Sequence, residues 1–201
     1  SMRITGGKLS DQRLLFLGAG EAGIGIADVF IAALKEEGMS EEDARKHCWF
    51  VDSRGLVCAE RENLAEHKLP YAHEHPYIDN LLDAVKELKP TVILGLSGQP
   101  QTFTKEVIEA VSEINERPII FALSNPTSMA ECTAEQAYTW SKGKAVFASG
   151  SPFDPVTYRN KTYVPGQGNN AYIFPGVGLG VIVSRSRIVT DEMFLAAAHS
   201  L

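Results

Sequence analysis

The run Arg13-Leu14-Leu15-Phe16-Leu17 opens directly onto Gly18-Ala19-Gly20-Glu21-Ala22-Gly23, and apolar residues over 24–34 then recur at helical spacing. Strand, glycine turn and helix in that order constrain the chain more than any other feature. A βαβ unit begins this way, and a dinucleotide binds at such a turn. Gly18 lets the chain leave the strand sharply, Gly20 admits a pyrophosphate close to the backbone, and Gly23 allows the helix to pack near the sheet. The N–H groups of the first helical turn and the positive end of its dipole then face the phosphates. The competing reading is a turn that only joins strand to helix and binds nothing.

Gly38 ends this helix, and Ser40, with Asp43 three residues on, caps a short helical turn over 40–46. A strand over 48–51 ends on Asp52, the position where an acidic residue accepts hydrogen bonds from a ribose. An extended segment over 55–59 follows, and Ile78, Leu81, Leu82, Val85 and Leu88 predict a helix over 77–88 that Pro90 breaks. Strands over 91–96, 118–123 and 145–148 alternate with helices over 104–114 and 134–140. A hairpin pairs 156–158 with 162–164, and two more helices start near Pro175 and Thr190. Nearly all-apolar strands alternating with helices predict an α/β fold: a doubly wound parallel sheet of Rossmann type, with helices on both faces.

The polar groups fall in one kind of place. Gly18 to Gly23, Asp52-Ser53-Arg54, Ser97-Gly98-Gln99, Ser124-Asn125-Pro126 and Ser149-Gly150-Ser151 each follow a strand, so they share one edge of the sheet. Each alone is ordinary turn chemistry, but together they describe a ligand crevice. Asp52 favours a free ribose hydroxyl, whereas Ser53, Arg54 and Lys68 offer a hydroxyl and two cations to an extra phosphate; those cations read equally well as solvated charge. His73-Glu74-His75 lacks the spacing of a zinc-binding helix and reads as structural or exposed. Ser124, Ser149 and Ser151 lack the context of an acyl-transfer nucleophile. Asn169-Asn170 either donates to a carboxylate or forms a paired turn. Asp154, Glu131 and Asp191 sit in cap or turn contexts, and no lysine or tyrosine follows a strand end. Alcohol oxidation needs a general base, so the base lies elsewhere or the chain only binds.

At 201 residues and 44% hydrophobic the chain can bury one sizeable core, and a net charge of −6 without a basic stripe excludes a nucleic-acid surface. Cys48, Cys58 and Cys132 are scattered and odd in number, which fits a reducing intracellular compartment. No apolar run approaches the roughly 20 residues that span a bilayer, and no signal peptide opens the chain, so a soluble protein is expected. Ser1-Met2 reads as an added dipeptide, and the chain as a piece of a longer protein.

With these residues in view, Gly18-Ala19-Gly20-Glu21-Ala22-Gly23, Val51-Asp52-Ser53-Arg54-Gly55-Leu56, Ala72-His73-Glu74-His75, Ala122-Leu123-Ser124-Asn125-Pro126-Thr127, Phe147-Ala148-Ser149-Gly150-Ser151-Pro152-Phe153-Asp154-Pro155-Val156 and Pro165-Gly166-Gln167-Gly168-Asn169-Asn170-Ala171-Tyr172-Ile173-Phe174-Pro175-Gly176 together resemble the NAD(P)-binding domain of malic enzymes. The likeness runs through the whole chain. It implies that residues 1–201 are that domain, without the catalytic N-terminal domain and the last helices. The implied reaction is oxidative decarboxylation of (S)-malate to pyruvate and carbon dioxide, with NADP or NAD and with Mg²⁺ or Mn²⁺ polarising the developing carbonyl and stabilising the enolate.

By the resemblance, Gly18, Ala19, Gly20, Glu21, Ala22 and Asp52 meet the dinucleotide, and Asn125, Asn169 and Asn170 meet malate. Ser53 and Lys68 fall where NADP-preferring members recognise the extra phosphate, which favours NADP. Arg54, Ser97 and Gly98 complete the candidate cofactor set. The family's catalytic tyrosine and lysine and its acidic metal ligands belong upstream of Ser1. No catalytic or metal-binding residue is therefore expected here, and the isolated chain is expected to bind dinucleotide weakly or not at all and to be inactive. Gly98-Gln99-Pro100-Gln101 departs from the glycine-rich turn expected at that point. Family membership further implies a homo-oligomer at full length, in the cytoplasm or else in a plastid or mitochondrion. A free-standing dinucleotide sensor or interaction module is the alternative.

Overall fold

A computed structural model describes residues 2–201, with side chains from Ile4 onward. After a helical turn α1 (Met2–Thr5), the chain runs through β1 (Leu14–Leu17), α2 (Glu21–Glu36), α3 (Glu41–Arg45), β2 (Cys48–Asp52) and β3 (Gly55–Leu56). Next come α4 (Leu81–Leu88), β4 (Val92–Gly95), α5 (Lys105–Ile114), β5 (Ile119–Ala122), α6 (Ala134–Trp140) and β6 (Val146–Ser149). The last third holds β7 (Val156–Tyr158), β8 (Lys161–Tyr163), β9 (Gly166–Gln167), α7 (Phe174–Ser184) and α8 (Asp191–Ser200).

The main sheet has seven strands in the order β3-β2-β1-β4-β5-β6-β9. All neighbours are parallel except β3, which folds back antiparallel on β2 through Val51↔Leu56 and Asp52↔Gly55. Strand order reverses between β1 and β4, the place where a doubly wound sheet opens a crevice at its carboxyl edge. Side chains alternate between two layers, as a pleat of period two requires. Leu15, Ile93, Ile120 and Phe147 pack against α4, α5 and α6. Leu14, Phe16, Cys48, Phe50, Val92 and Leu94 pack against α2, Ala44 of α3 and Tyr71. Within the second layer the Phe16 and Phe50 rings stack at 4.5 Å, and Tyr71 meets Phe50 edge-on at 4.9 Å. Cover is incomplete over the far strands, where Phe121, Leu123, Val146 and Ala148 stay half-buried on that side.

Local chemistry explains the boundaries. Ser40 Oγ accepts the Asp43 N–H at 3.1 Å and Thr104 Oγ1 accepts that of Val107 at 3.5 Å, capping α3 and α5 as their sequences predict. α4 begins at Leu81 rather than Tyr77, because Asn80 Oδ1 takes the Asp83 N–H at 3.0 Å and sets the start. Ile78, counted in the helical period, instead packs against the core from the preceding loop, where its carbonyl accepts the Leu56 N–H at 2.8 Å. The small hairpin turns on two residues, not three. Arg159 (φ +48°) and Asn160 (φ +62°) both take left-handed backbone, as a tight hairpin requires, so β8 starts at Lys161. Gly166-Gln167 pairs with β6, a strand the sequence pattern does not reveal.

Phe50 joins sheet, α2 layer and the Tyr71 segment, so Phe50→Ala is expected to destabilise the folded chain by about 3–5 kcal/mol. Leu69→Ala, at an exposed site, is expected to change it by less than about 0.5 kcal/mol. Urea unfolding of both variants followed by tryptophan fluorescence checks the contrast.

Candidate functional site

Past the strand ends the hydrogen-bond ladder continues by one residue, which pins the turns in a row. Gly18 N–H donates to Val51 O (2.8 Å), Leu96 to Leu17 O (2.8 Å), Leu123 to Gly95 O (2.9 Å), Gly150 to Ala122 O (3.1 Å) and Gly168 to Ser149 O (2.8 Å). One rim therefore carries the glycine turn, Asp52, Ser97-Gly98, Asn125 and Asn169.

Gly18 takes φ +112°, and a Cβ there would lie 2.8 Å from the carbonyl carbon of Leu96, so only glycine lets β1 turn off beside β4. A Cβ on Gly23 would lie 2.8 Å from Gly18 O and 3.4 Å from the Phe50 ring, so this glycine seats α2 on the sheet. Gly20 differs: nothing lies within 4 Å of where its Cβ would be. It N-caps α2 in an extended conformation and no side chain caps the first turn. The N–H groups of Glu21, Ala22 and Gly23 thus point along the helix axis toward open space, an arrangement suited to a phosphate. Ala19 is buried, while Glu21 and Ala22 are exposed.

At the end of β2, Asp52 is fully engaged. Arg61 reaches it with Nη1 at 3.0 Å and Nη2 at 3.3 Å, Lys68 Nζ lies at 2.6 Å, and the Arg54 N–H donates at 2.8 Å. The side chain is 11% exposed. Burial raises its pKa, but the hydrogen bonds from Lys68 and Arg61 and the backbone N–H outweigh this and hold it below the usual aspartate value. One carboxylate against two cations leaves the subsite with net positive charge. Lys68 is one of the two cations the sequence nominates. Arg54 gives only its backbone N–H, and its side chain and Ser53 are exposed. Arg61 takes the second place and also donates to the Gly55 and Leu56 carbonyls at 3.2 and 3.3 Å. Its only signal in the sequence is its place just beyond the hairpin that folds back from Asp52. A 3-10 turn, Glu66–Tyr71, lays His67 Nε2 3.1 Å from Ala19 O and Lys68 on Asp52, so it straps this half of the rim.

The other half gathers around Gly150. A Cβ there would lie 2.5 Å from Asn125 Oδ1, so the glycine makes room for the asparagine. Ser151 Oγ donates to Asn125 Oδ1 at 2.6 Å, and Gln167 Nε2 and Asn169 Nδ2 both donate to Gly150 O, at 3.2 and 3.4 Å. Asn169 Oδ1 accepts the Ala171 N–H at 2.9 Å and so caps the turn Asn170–Tyr172, where Asn170 is exposed. Asn125 and Asn169 thus share one neighbour, and their outer faces remain exposed. Between the halves, Gly98 N–H donates to Ser124 Oγ at 2.9 Å. Glu131, which the sequence places in a turn context, is wholly buried beneath both.

The arrangement offers backbone donors and cations at one end and neutral amides at the other: a phosphate-bearing ligand beside a small polar one. Asp154 is exposed, and Asp191 is the first residue of α8. Among the described residues no group of three or more His, Cys, Asp or Glu side chains is gathered to hold a metal ion. His73 instead donates from Nε2 to Cys48 O (2.9 Å), and it flanks Trp49 with His75. All three cysteines are buried and free, and desolvation pushes the Cys48 thiol up to about 12. Among the described residues no helix is long and apolar enough to cross a membrane.

A family model described as malic enzyme, NAD binding domain, matches residues 1–201. An NADP-dependent malic enzyme of Phaseolus vulgaris is 57% identical over all of this chain, which spans 34% of that protein. NADP-dependent malic enzyme 4, chloroplastic, of Arabidopsis thaliana is also 57% identical over all of this chain, here 31% of the relative's length. The chain therefore spans about a third of the curated relatives it matches. Among solved structures, the malic enzyme of Entamoeba histolytica superposes over the entire chain and 37% of its own, with a TM-score of 0.77 at 23% identity, which speaks to the fold. With a glycine turn, an acidic strand end and paired asparagines on one rim, and with this match from end to end, the chain belongs to the malic enzyme family as its NAD-binding domain.

Proposed function

We propose that this chain is the dinucleotide half of an enzyme that oxidatively decarboxylates (S)-malate to pyruvate and carbon dioxide with NADP as hydride acceptor. The observation that carries the choice of NADP is the state of Asp52. A lone carboxylate at that strand end repels the extra phosphate of NADP, but Arg61 and Lys68 neutralise it and leave cationic charge over. Ser53, exposed beside it, supplies a hydroxyl donor. The names of the relatives agree with this reading.

The open space at Gly20 and the uncapped start of α2 receive the pyrophosphate. Ser97 and Gly98 line the middle of the rim and would face the nicotinamide of a bound dinucleotide, which would supply the hydride acceptor. Asn125, with Asn169 and Asn170, orients the carboxylates of malate through neutral N–H donors, which bind without offering a base. The general base, and the ligands of a divalent metal that polarises the carbonyl, come from polypeptide outside this chain, in keeping with its span of a third of its relatives. Phe174, Leu179, Ile182 and Val183 on α7 are more than 60% exposed, and β5 and β6 are half-covered. That apolar ground is where the remaining polypeptide and further subunits pack.

Lys68→Gln is expected to weaken NADP binding about tenfold and leave NAD within twofold, since a hydrogen bond to a charged group is worth about 1.5–3 kcal/mol. Calorimetric titration of both dinucleotides checks this; equal losses would reduce Lys68 to a strut for Asp52. The 201-residue chain is expected to show no malate oxidation with Mn²⁺ and NADP, and a full-length polypeptide carrying it to show turnover. In that polypeptide Asn125→Ala is expected to raise the KM for malate at least tenfold with dinucleotide affinity held within twofold. Binding of dinucleotide without turnover at full length would instead identify a sensor module.

A further inference from the structure

Glu131, which lies in the chain between the 3-10 turn Thr127–Met129 and α6, is fully buried. Among the described residues no lysine, arginine or histidine pairs with it. Its partners all come from two turns of the rim. Oε1 accepts the Ser97 N–H at 3.2 Å, the Ser97 hydroxyl at 3.4 Å and the Ser124 hydroxyl at 2.5 Å, and Oε2 accepts the Ser124 N–H at 3.4 Å. Ser124 Oγ in turn accepts the Gly98 N–H at 2.9 Å. Backbone pairing reinforces the junction: Gln101 N–H donates to Ala130 O at 3.1 Å and Phe103 N–H to Glu131 O at 3.0 Å. The last residue of β4 is cut to fit, since a Cβ on Gly95 would lie 2.3 Å from the Glu131 carboxyl carbon.

Burying a carboxylate without a counter-ion is expensive, and it is offset only where hydrogen-bond donors meet it. That condition is met here: four donors converge, and only an acceptor with two oxygens satisfies them all. We infer that Glu131 is a positioning residue that locks the cofactor turn Ser97-Gly98 to the substrate turn Ser124-Asn125. It thereby fixes the separation at which hydride transfer takes place. The inference rests on the proposed function for what the two turns bind. Its physical basis is that reacting atoms must be held about 3–3.5 Å apart and that a misplacement of about 1 Å costs on the order of a hundredfold in rate. Glu131 touches neither ligand and acts through the serines.

The test uses a full-length polypeptide carrying this chain, with Glu131→Gln, whose amide NH₂ would face donors, and with Ser124→Ala, which removes the hydroxyl that joins the Gly98 N–H to Glu131 but leaves the Ser97 and Ser124 N–H donors in place. In Glu131→Gln, kcat per folded molecule is expected to fall at least tenfold while the dissociation constant for NADP, set at the glycine turn and Asp52, stays within twofold. Amide hydrogen exchange followed by mass spectrometry is expected to accelerate at least tenfold in residues 96–99 and 123–126 together. Ser124→Ala is expected to repeat the pattern with smaller changes, and it decides alone if Glu131→Gln does not fold. Acceleration confined to one of the two segments, or an unchanged kcat in the folded variants, overturns the inference. If the unsubstituted polypeptide does not oxidise malate, the proposed function falls, and the exchange result still decides whether Glu131 locks the turns.

Discussion

Everything along the rim depends on how closely β1 and β4 approach at their carboxyl ends. There the backbone of Gly18 lies against the Leu96 carbonyl, leaving no room for a β-carbon. Strand order reverses at that seam, so the two chains of connections leave in opposite directions and their turns part over a shared floor. A larger residue at position 18 would push β4 away and move Ser97 with it. Gly18 and Gly23 are packed without slack, whereas the ground above Gly20 between them is open.

The two halves of the rim solve different electrostatic problems. At the β2 end, charge is concentrated and paired, with Asp52 holding Arg61 and Lys68 in place by hydrogen bonds that outweigh its own desolvation. At the β5, β6 and β9 ends the side chains gathered about Gly150 are amides and hydroxyls, and the Glu131 carboxylate lies buried beneath them on the Ser124 turn. A polyanionic ligand and a small dicarboxylate would each find the partner chemistry that suits them. Neither half interferes with the other through a misplaced charge.

Much of this was legible in the residues and some was not. Local signals carried well: the glycine turn, the caps at Ser40 and Thr104 and the polar turns after apolar strands each depend on a few adjacent residues. What failed to show depends on distance in the chain. Arg61 gains its partner only because β3 folds back on β2, and Ile78 kept a helical period while packing from a loop, since Asn80 began the helix later. Arg159 and Asn160 adopt left-handed backbone that residues such as glycine would have advertised. Glu131 looked like a turn residue because its partners are N–H groups and serines, which leave no complementary charge in the sequence.

The fit between Gly95 and Glu131 has a consequence for how these two positions can vary. With a β-carbon at 95 the acid has nowhere to lie, and with a shorter residue at 131 a void opens over the strand end and the serines lose their acceptor. Neither site can change in bulk by itself. A change of size at one calls for a compensating change of size at the other, so an engineer altering this part of the sheet must treat residues 95 and 131 as a single unit separated by 36 positions of chain.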